Sequence, residues 1–460
     1  MAKTDEWGSR IGLILAAAGN AIGIGNLLRF PSKAASNGGG AFMIPYFLAL
    51  LFLGIPMMWV MWTIGRYGGI SGHTTTPGML NKIKPAVYSK ILGAIGVGVP
   101  LIFTVYYTYI SSWCFAYAFF SLFGTYFKVE DLNIFLQEYT RGISTSNYLP
   151  GYFYPILFFA IVFFFNIWVL TRGISKGIEK LCLIGMPALL VMCVIMIIRN
   201  ITLESSGKGS FLDGLGFIWN PDFNQLSNIN IWIAATGQIF FSLSIGIGAM
   251  ECYASYVKKE DDIALAGLTT AATNEFVEVI FGSAIVIPAT AIFFGVALAP
   301  QYAKTGIFNL GFITMPEIIR NTPLSNIYGF LWFFLLFLAA FTSSVAIAQP
   351  VMAFLQNVCG FSRIRAGGIL GLIWSTATLP CIFWNKYGYI DELDSWAGEL
   401  LLILFSLIEL IYFVFFLGLN KGWDELHRGA AIKIPSIFKY ILIMISPIYL
   451  ITLLAIWAKN

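Results

Sequence analysis

Ile22-Gly23-Ile24-Gly25 decides how this chain is read, because the same four residues return at Ile245-Gly246-Ile247-Gly248. Both copies stand mid-way along apolar segments long enough to cross a bilayer. Glycine costs about 1 kcal/mol against alanine inside a helix and lets the backbone leave helical geometry. Asn20 and Asn26 flank the first copy, and Ser242 and Ser244 flank the second. The two helices are therefore predicted to unwind at mid-membrane beside hydrogen-bonding side chains. Unwound backbone is tolerated in a bilayer only where protein buries it or it lines a wet cavity. One such pair is explained by close helix packing on small residues. Two matched pairs with polar flanks point to a binding site between the halves of a secondary transporter.

Composition agrees. Of 460 residues, 58% are hydrophobic and 11% charged, which specifies an integral membrane protein in contact with a lipid bilayer. The net charge of +4 is small and spread over loops, so it argues for no nucleic-acid partner. The six cysteines fall in or beside apolar segments without a CxxC pair and read as packing residues. The only histidines, His73 and His427, lie in loops and leave no credible zinc site. No cleavable signal peptide is expected, since the first apolar run is itself the organising element.

Apolar runs of roughly twenty residues give eleven expected spans: about 11–36, 41–69, 90–124, 153–170, 178–199, 231–256, 262–297, 326–357, 367–384, 396–418 and 436–458. The whole chain, 1–460, is expected to be one transmembrane domain. Its repeats would be 11–200 (spans 1–5) and 231–418 (spans 6–10), inverted because an odd span number flips the second copy, with span 11 at 436–458 outside them. Lys and Arg are concentrated on the side of the N-terminus, as in Lys82, Lys84, Arg172, Lys176, Lys258 and Lys259. The N-terminus is then cytoplasmic and the C-terminus outside. Arg29 and Lys33 run against this bias, as charges with a partner or a function do. Residues 125–152 and 200–230 are expected to form a folded outer surface, and the Pro-rich stretch 298–325 a helical hairpin or re-entrant cap.

Ionisable groups inside a membrane cost roughly 2.5–3.5 kcal/mol each on insertion scales and need a reason. Span 7 carries Asn274, Glu275 and Glu278, with Asn274 and Glu278 four apart on one face. Span 8 carries Thr342-Ser343-Ser344, and span 6 carries Gln238, Ser242 and Ser244. For any single Ser or Thr, interhelical hydrogen bonding is the simpler explanation. Together they form a set of oxygen ligands suited to a hard cation such as sodium. Tyr106-Tyr107 in span 3 can place a phenol in the same cavity, and Arg29 and Asp394 can pair across an outer vestibule. The run Asn37 to Gly40 is a turn between spans rather than a phosphate loop, having no following Lys-Ser or Lys-Thr.

With these residues assembled, the chain resembles the neurotransmitter:sodium symporter family, in its bacterial, LeuT-type branch. The stretches that carry the resemblance are Gly19-Asn-Ala-Ile-Gly-Ile-Gly-Asn-Leu-Leu-Arg-Phe-Pro31, Gly38-Gly-Gly-Ala-Phe-Met-Ile-Pro-Tyr46, Gly237-Gln-Ile-Phe-Phe-Ser-Leu-Ser244 and Phe341-Thr-Ser-Ser344. It runs nearly end to end, from Trp7 to Trp457. The implied fold is all-α, with eleven transmembrane helices, a five-plus-five inverted repeat, and unwound helices 1 and 6.

The resemblance implies two sodium sites. The first would use the Ala21 carbonyl, Asn26, Ser242, Asn274 and the substrate carboxylate. The second would use the carbonyls of Gly19, Ile22 and Ala339 with the hydroxyls of Thr342 and Ser343. The substrate carboxylate would also meet N–H groups near Ile24 and Gly25, at a half-helix N-terminus, and the Tyr107 hydroxyl. Carbonyls near Phe241 and Ser244 would take its amino group, and Phe103, Phe241, Ser244, Ile247 and Ile347 would shape its side-chain pocket. Gly23 stands where monoamine transporters carry aspartate, which implies a substrate bringing its own carboxylate. The implied substrate is a neutral amino acid with a small or medium side chain.

Glu278 stands where chloride-dependent members have serine, so its carboxylate is expected to replace chloride, with Tyr46, Gln238 and Ser242 around it. Proton exchange at Glu278 is left open, as are the sodium stoichiometry and the oligomeric state. The outer gate would be Arg29 with Asp394, and Tyr107 beneath Phe241. At the inner gate Trp7, Ser255 and Tyr256 match the family, but its arginine–aspartate pair is replaced by Thr4 and Asn357, with Lys3 or Asp5 as candidate substitutes. The expected function is a sodium-coupled symporter importing a neutral L-amino acid across a bacterial inner membrane by alternating access, chloride-independent and not an enzyme. The rivals are a sodium-dependent channel, which would need an open multi-site pore, and a non-transporting amino-acid sensor.

Overall fold

A computed structural model describes residues 5–142, 146, 148–203 and 207–458. Among these the secondary structure is helical throughout, with no strand. The expected first span is two helices, α1 (Arg10–Ala21) and α2 (Gly25–Ser36), bent by 52° at the break. Nine further helices are long and apolar enough to cross a membrane: α3 (Gly40–Gly69), α4 (Val87–Leu122), α5 (Phe153–Arg172), α6 (Ile174–Thr202), α9 (Ile263–Phe294), α10 (Ser325–Asn357), α11 (Arg363–Phe383), α12 (Tyr389–His427) and α13 (Ile437–Trp457). Between α6 and α9 the expected sixth span is split into α7 (Ile229–Ser242) and the short α8 (Ala249–Ala254). Each piece alone is too short to cross.

Both breaks follow from sequence, for different physical reasons. After Ala21 the chain turns extended at Ile22, with φ −79° and ψ 103°. Gly23 is needed there for space, since a Cβ would lie 2.7 Å from the Tyr107 hydroxyl. In the second copy the need is conformational: Gly246 and Gly248 sit at φ 79° and 87°, where side-chain-bearing residues are strained. Ser244 also lies at positive φ, 54°, beside them. Strain of this kind concentrates at functional sites.

Helix starts are set by side-chain caps. Ser9 accepts from Gly12 N–H to begin α1, Asn228 from Asn230 N–H to begin α7, and Asp262 from Leu265 N–H to begin α9. Two long helices, α4 and α10, run against each other through the centre, and α1 packs on α6, α9 and α10. A buried polar line crosses this centre, from Thr108 to Ser344 at 2.9 Å and from Ser344 to Asn166 at 2.8 Å. Large apolar side chains such as Ile184, Leu372 and Phe415 point outward, 66%, 69% and 72% exposed, as a lipid-facing surface requires.

Among their described residues the long connections carry helices. Leu132–Arg141 and Phe211–Trp219 are helices, and the Pro-rich stretch forms short helices including Ala299–Lys304 and Met315–Arg320. This cap packs on α2, where Ser32 Oγ donates to the Ala303 carbonyl at 2.9 Å. Three helices widen locally into π turns at points that matter below: Gly25–Arg29, Phe276–Gly282 and Asp394–Leu401.

Candidate functional site

The two breaks meet. One cavity is lined by Asn20, Ala21, Gly23, Gly25, Asn26, Phe103, Tyr107, Phe241, Ser242, Ser244, Ile247, Ser343 and Ile347. Every residue expected from the resemblance to line the substrate site is here except Ile24. Ile24 instead lines the adjoining vestibule, while its N–H donates to the Tyr107 hydroxyl at 3.3 Å. Asn20 was noted in the sequence only as a flank of the break. Its amide is buried in the structure, and neither of its polar atoms has a hydrogen-bond partner.

On one side of the cavity lies a cluster of side-chain oxygens. Asn26 Nδ2 donates to Asn274 Oδ1 at 2.8 Å, to Ser242 Oγ at 3.2 Å and to Glu278 Oε2 at 3.0 Å. Asn26 Oδ1 accepts from Gly23 N–H at 2.8 Å, which ties the cluster to the break itself. Asn274 Nδ2 donates to Ser242 Oγ at 2.6 Å, and the Ser242 hydroxyl donates to Glu278. Gln238 Nε2 donates to the other Glu278 oxygen at 2.5 Å. The widened turn of α9 carries Glu278, and Gly282 in that turn lets α9 approach the Asn26 carbonyl.

Tyr46, Gln238 and Ser242 all stand beside Glu278. The Tyr46 hydroxyl is within hydrogen-bonding reach of both acids of α9 and donates to Glu275 Oε2 at 2.5 Å. Glu275 in turn joins the cluster, its other oxygen accepting from Asn274 Nδ2 at 3.4 Å.

On the other side, three carbonyl oxygens converge on one hydroxyl. Ser343 Oγ lies 3.0 Å from Gly19 O, 3.1 Å from Ile22 O and 3.1 Å from Ala339 O. A serine hydroxyl has one proton to donate, so at most one of these carbonyls is satisfied by it. Thr342 Oγ1 adds a further oxygen, 3.2 Å from Ala339 O. Convergent buried carbonyl and hydroxyl oxygens are the kind of ligand a hard cation takes. Among the described residues there is no group of three or more His, Cys, Asp or Glu able to hold a metal.

Towards the Arg29 face the cavity opens into a vestibule lined by Arg29, Lys33, Tyr106, Asp391, Asp394 and Glu399, among others. Arg29 and Asp394 line it together as expected, but among the described residues no ion pair joins them. Arg29 instead lies over the Phe241 ring, 4.0 Å from its centroid, and Asp394 accepts from the Tyr106 hydroxyl at 2.8 Å. A cation over an aromatic face is a favourable resting place.

The Trp7 face is closed. Trp7 Nε1 donates to the Tyr253 carbonyl at 3.1 Å and the two rings pack edge to face at 5.1 Å. Gln349 donates to the Tyr256 hydroxyl at 3.1 Å. Ser255 does not reach across; its hydroxyl donates to Cys252 O in its own turn, 2.6 Å away. Thr4 and Lys3 lie outside the described residues, and Asn357 bonds to Thr74. Asp5 pairs with Arg363, and Glu179 accepts from Gly8 N–H at 2.7 Å and Ser9 Oγ at 2.8 Å. Arg363 and Glu179 were not singled out from the sequence, where each is one charge among several in its loop.

Two interrupted helices meeting at a buried, oxygen-rich cavity, with a vestibule on one face and a closed seal on the other, define an ion-coupled secondary transporter. The chain matches the model of the sodium:neurotransmitter symporter family over residues 4–128 and 135–460, and it belongs to that family. A sodium-dependent transporter of Methanocaldococcus jannaschii is 30% identical over 467 residues, covering 100% of this chain and 91% of that one. The human sodium- and chloride-dependent taurine transporter is 29% identical over 74% of this chain and 58% of its own length. The crystal structure of MhsT in complex with L-phenylalanine superposes with a TM-score of 0.83 at 27% identity, covering 98% of this chain and 99% of that one. The fold is thus that of sodium-coupled transporters of the LeuT type. The protein is a multi-pass membrane transporter and not an enzyme.

Proposed function

We propose that this protein is a sodium-coupled importer of a neutral L-amino acid, working by alternating access with two sodium ions and without a requirement for chloride. The observation that carries the reading is that both oxygen clusters abut one cavity through the same break in span 1. Asn26 ties the first cluster to Gly23, and Ser343 ties the second to Gly19 and Ile22.

In this reading an amino-acid carboxylate lies against the Tyr107 hydroxyl and the start of α2, where the N–H groups of a helix start and the helix dipole favour negative charge. It also completes the first sodium site with the Ala21 carbonyl, Asn26, Ser242 and Asn274. The amino group sits near the carbonyls around Phe241 and Ser244. The substrate side chain faces Phe103, Ile247 and Ile347, which suits a small or medium neutral group. Gly23 supports a substrate with its own carboxylate, since an acidic side chain in its place would meet Tyr107. The second sodium site takes Gly19, Ile22, Ala339, Thr342 and Ser343.

Glu278 supplies a fixed negative charge beside the first site, the role an anion would otherwise fill, so chloride is dispensable. Sharing of the carboxylate between substrate and sodium gives each a higher affinity in the presence of the other, which is what coupling requires. The Arg29 face is the outer one, where Arg29 and Asp394 come together on closure, and the Trp7 face is cytoplasmic. The likeness to a structure determined with L-phenylalanine supports an amino-acid substrate.

The test is uptake into proteoliposomes under an imposed sodium gradient. Accumulation of a neutral amino acid that is abolished when potassium replaces sodium, and unchanged when gluconate replaces chloride, is expected. Binding without accumulation would indicate a sensor, and currents far above the substrate flux would indicate a channel.

A further inference from the structure

The segment before α1 is a strap across the Trp7 face, and three separate elements hold it. Asp5 pairs with Arg363 at the start of α11, Trp7 bonds to Tyr253 in α8, and Gly8 and Ser9 bond to Glu179 at the start of α6. The strap leads without interruption into α1, because Ser9 is both a strap contact and the cap of that helix. At its other end α1 supplies the Gly19 and Ile22 carbonyls of the second oxygen cluster. Whatever releases the strap therefore frees the helix that carries these cation ligands.

We propose that Asp5 and Arg363 are the charge latch of this strap: the pair is made while the Trp7 face is shut and broken when it opens. This rests on the reading of the protein as an alternating-access transporter. The latch has its acid on the strap and its base on the opposite wall, the reverse of the Arg-on-strap arrangement implied by the family resemblance.

Burial separates this pair from Arg66 and Glu425 on the same face, where Arg10 with Asp262 and Arg428 with Glu425 are further pairs. Arg66 and Glu425 have side chains 0% and 5% exposed, and Arg66 also donates to the carbonyls of Asp261, Arg428 and Glu425. Breaking that pair would strand a buried charge, so it is a permanent fastener. The Asp5 and Arg363 side chains are 33% and 21% exposed, so water can replace each partner when they separate. A pair that closes with some gain and opens at small cost is what a reversible latch needs. The wall is also shaped for it. Gly173 sits at φ 89° directly under Arg363, and a Cβ there would collide with the guanidinium.

The chain contains its own reporter. Cys182 on α6 is 1% exposed, and its sulfur lies 3.2 Å from where a Cβ on Gly19 would stand, so α1 covers it. Movement of α1 away from α6 uncovers this thiol. The experiment measures the rate at which Cys182 is modified by a bulky maleimide in purified full-length protein carrying Cys359→Ser, which removes the exposed thiol. A Cys182→Ser version supplies the background.

Asp5→Asn and Arg363→Gln are each expected to raise the rate about three- to fivefold, the range a partly exposed ion pair supports. The double variant should be no faster than the faster single one. The swap Asp5→Arg with Arg363→Asp, and the conservative Asp5→Glu, should return towards the parent rate. Unchanged rates in the single variants, additive effects, or a swap as fast as the neutralised forms would each overturn the latch. Circular dichroism melts of each variant separate opening from misfolding, and the swap distinguishes a charge effect from general loosening. Labelling requires no knowledge of the substrate. A parent protein whose Cys182 rate ignores sodium would count against the transport reading, whereas a sodium-sensitive parent with indifferent variants would count against the latch alone.

Discussion

Ser343 Oγ stands 3.0 Å from the carbonyl oxygen of Gly19, across the interface between α10 and the last turn of α1. Two more carbonyls crowd the same hydroxyl, and one proton cannot serve all three. Ser343→Ala and Thr342→Ala are therefore expected to raise the sodium concentration for half-maximal uptake by roughly tenfold, a loss of about 1.4 kcal/mol. Their thermal stability without sodium should be little changed. Sodium titrations of uptake and of melting temperature check both parts.

Glu278 is fully buried and receives donors from Ser242, Gln238 and Asn26. Replacing it by serine removes the charge but leaves a small polar group. Glu278→Ser is expected to have little activity in gluconate and to regain a substantial part of it in chloride, whereas the parent ignores the exchange. Uptake measured in the two anions decides this.

Asn20 is 1% exposed and lines the cavity with its amide unpartnered. A buried polar group is normally satisfied, so a bound substrate or a water carried with it is the natural partner. Asn20→Leu is expected to shift selectivity towards apolar side chains, with a change of roughly tenfold or more in the ratio of Kd values for a polar and an apolar amino acid. Competition binding across a set of neutral amino acids is the measurement.

Glu251 and Glu409 are both fully buried and face each other, carboxyl to carboxyl. Two buried carboxyl groups in contact share a proton, the protonated one donating to the other. Glu251→Gln keeps a donor for Glu409 and is expected to leave the melting temperature little changed, whereas Glu251→Leu strands the Glu409 carboxyl at a cost of about 1–3 kcal/mol and lowers it. Equal melting temperatures for the two variants would contradict the pairing.

Much of this was legible before any coordinates. Hydrophobic runs located most of the long helices to within about four residues, because a bilayer imposes a minimum apolar length. But α12 extends beyond the expected 396–418 to Tyr389–His427, where polar ends continue the helix past the apolar run. The IGIG repeat marked both breaks, yet identical letters did different work: Gly23 makes room for Tyr107, whereas Gly246 and Gly248 adopt left-handed backbone. That distinction depends on neighbours that are distant in sequence. The same limit hid Arg363 and Glu179, whose roles exist only because the strap crosses to them. The Arg29–Asp394 pair was read from charge and from the family resemblance, and in this structure Arg29 takes an aromatic face and Asp394 a phenol instead.

The most direct test of sodium-coupled amino-acid binding is the melting temperature of the purified protein with each of the twenty amino acids, in sodium and in potassium, with and without chloride. A ligand that binds only the folded state stabilises it by RT ln(1 + [L]/Kd), about 2.7 kcal/mol at a hundredfold excess over Kd. The account predicts that at least one neutral amino acid raises the melting temperature in sodium, not in potassium, and by the same amount without chloride. Stabilisation indifferent to sodium, or none by any amino acid, would contradict the site built on Asn26, Ser242, Asn274, Thr342 and Ser343.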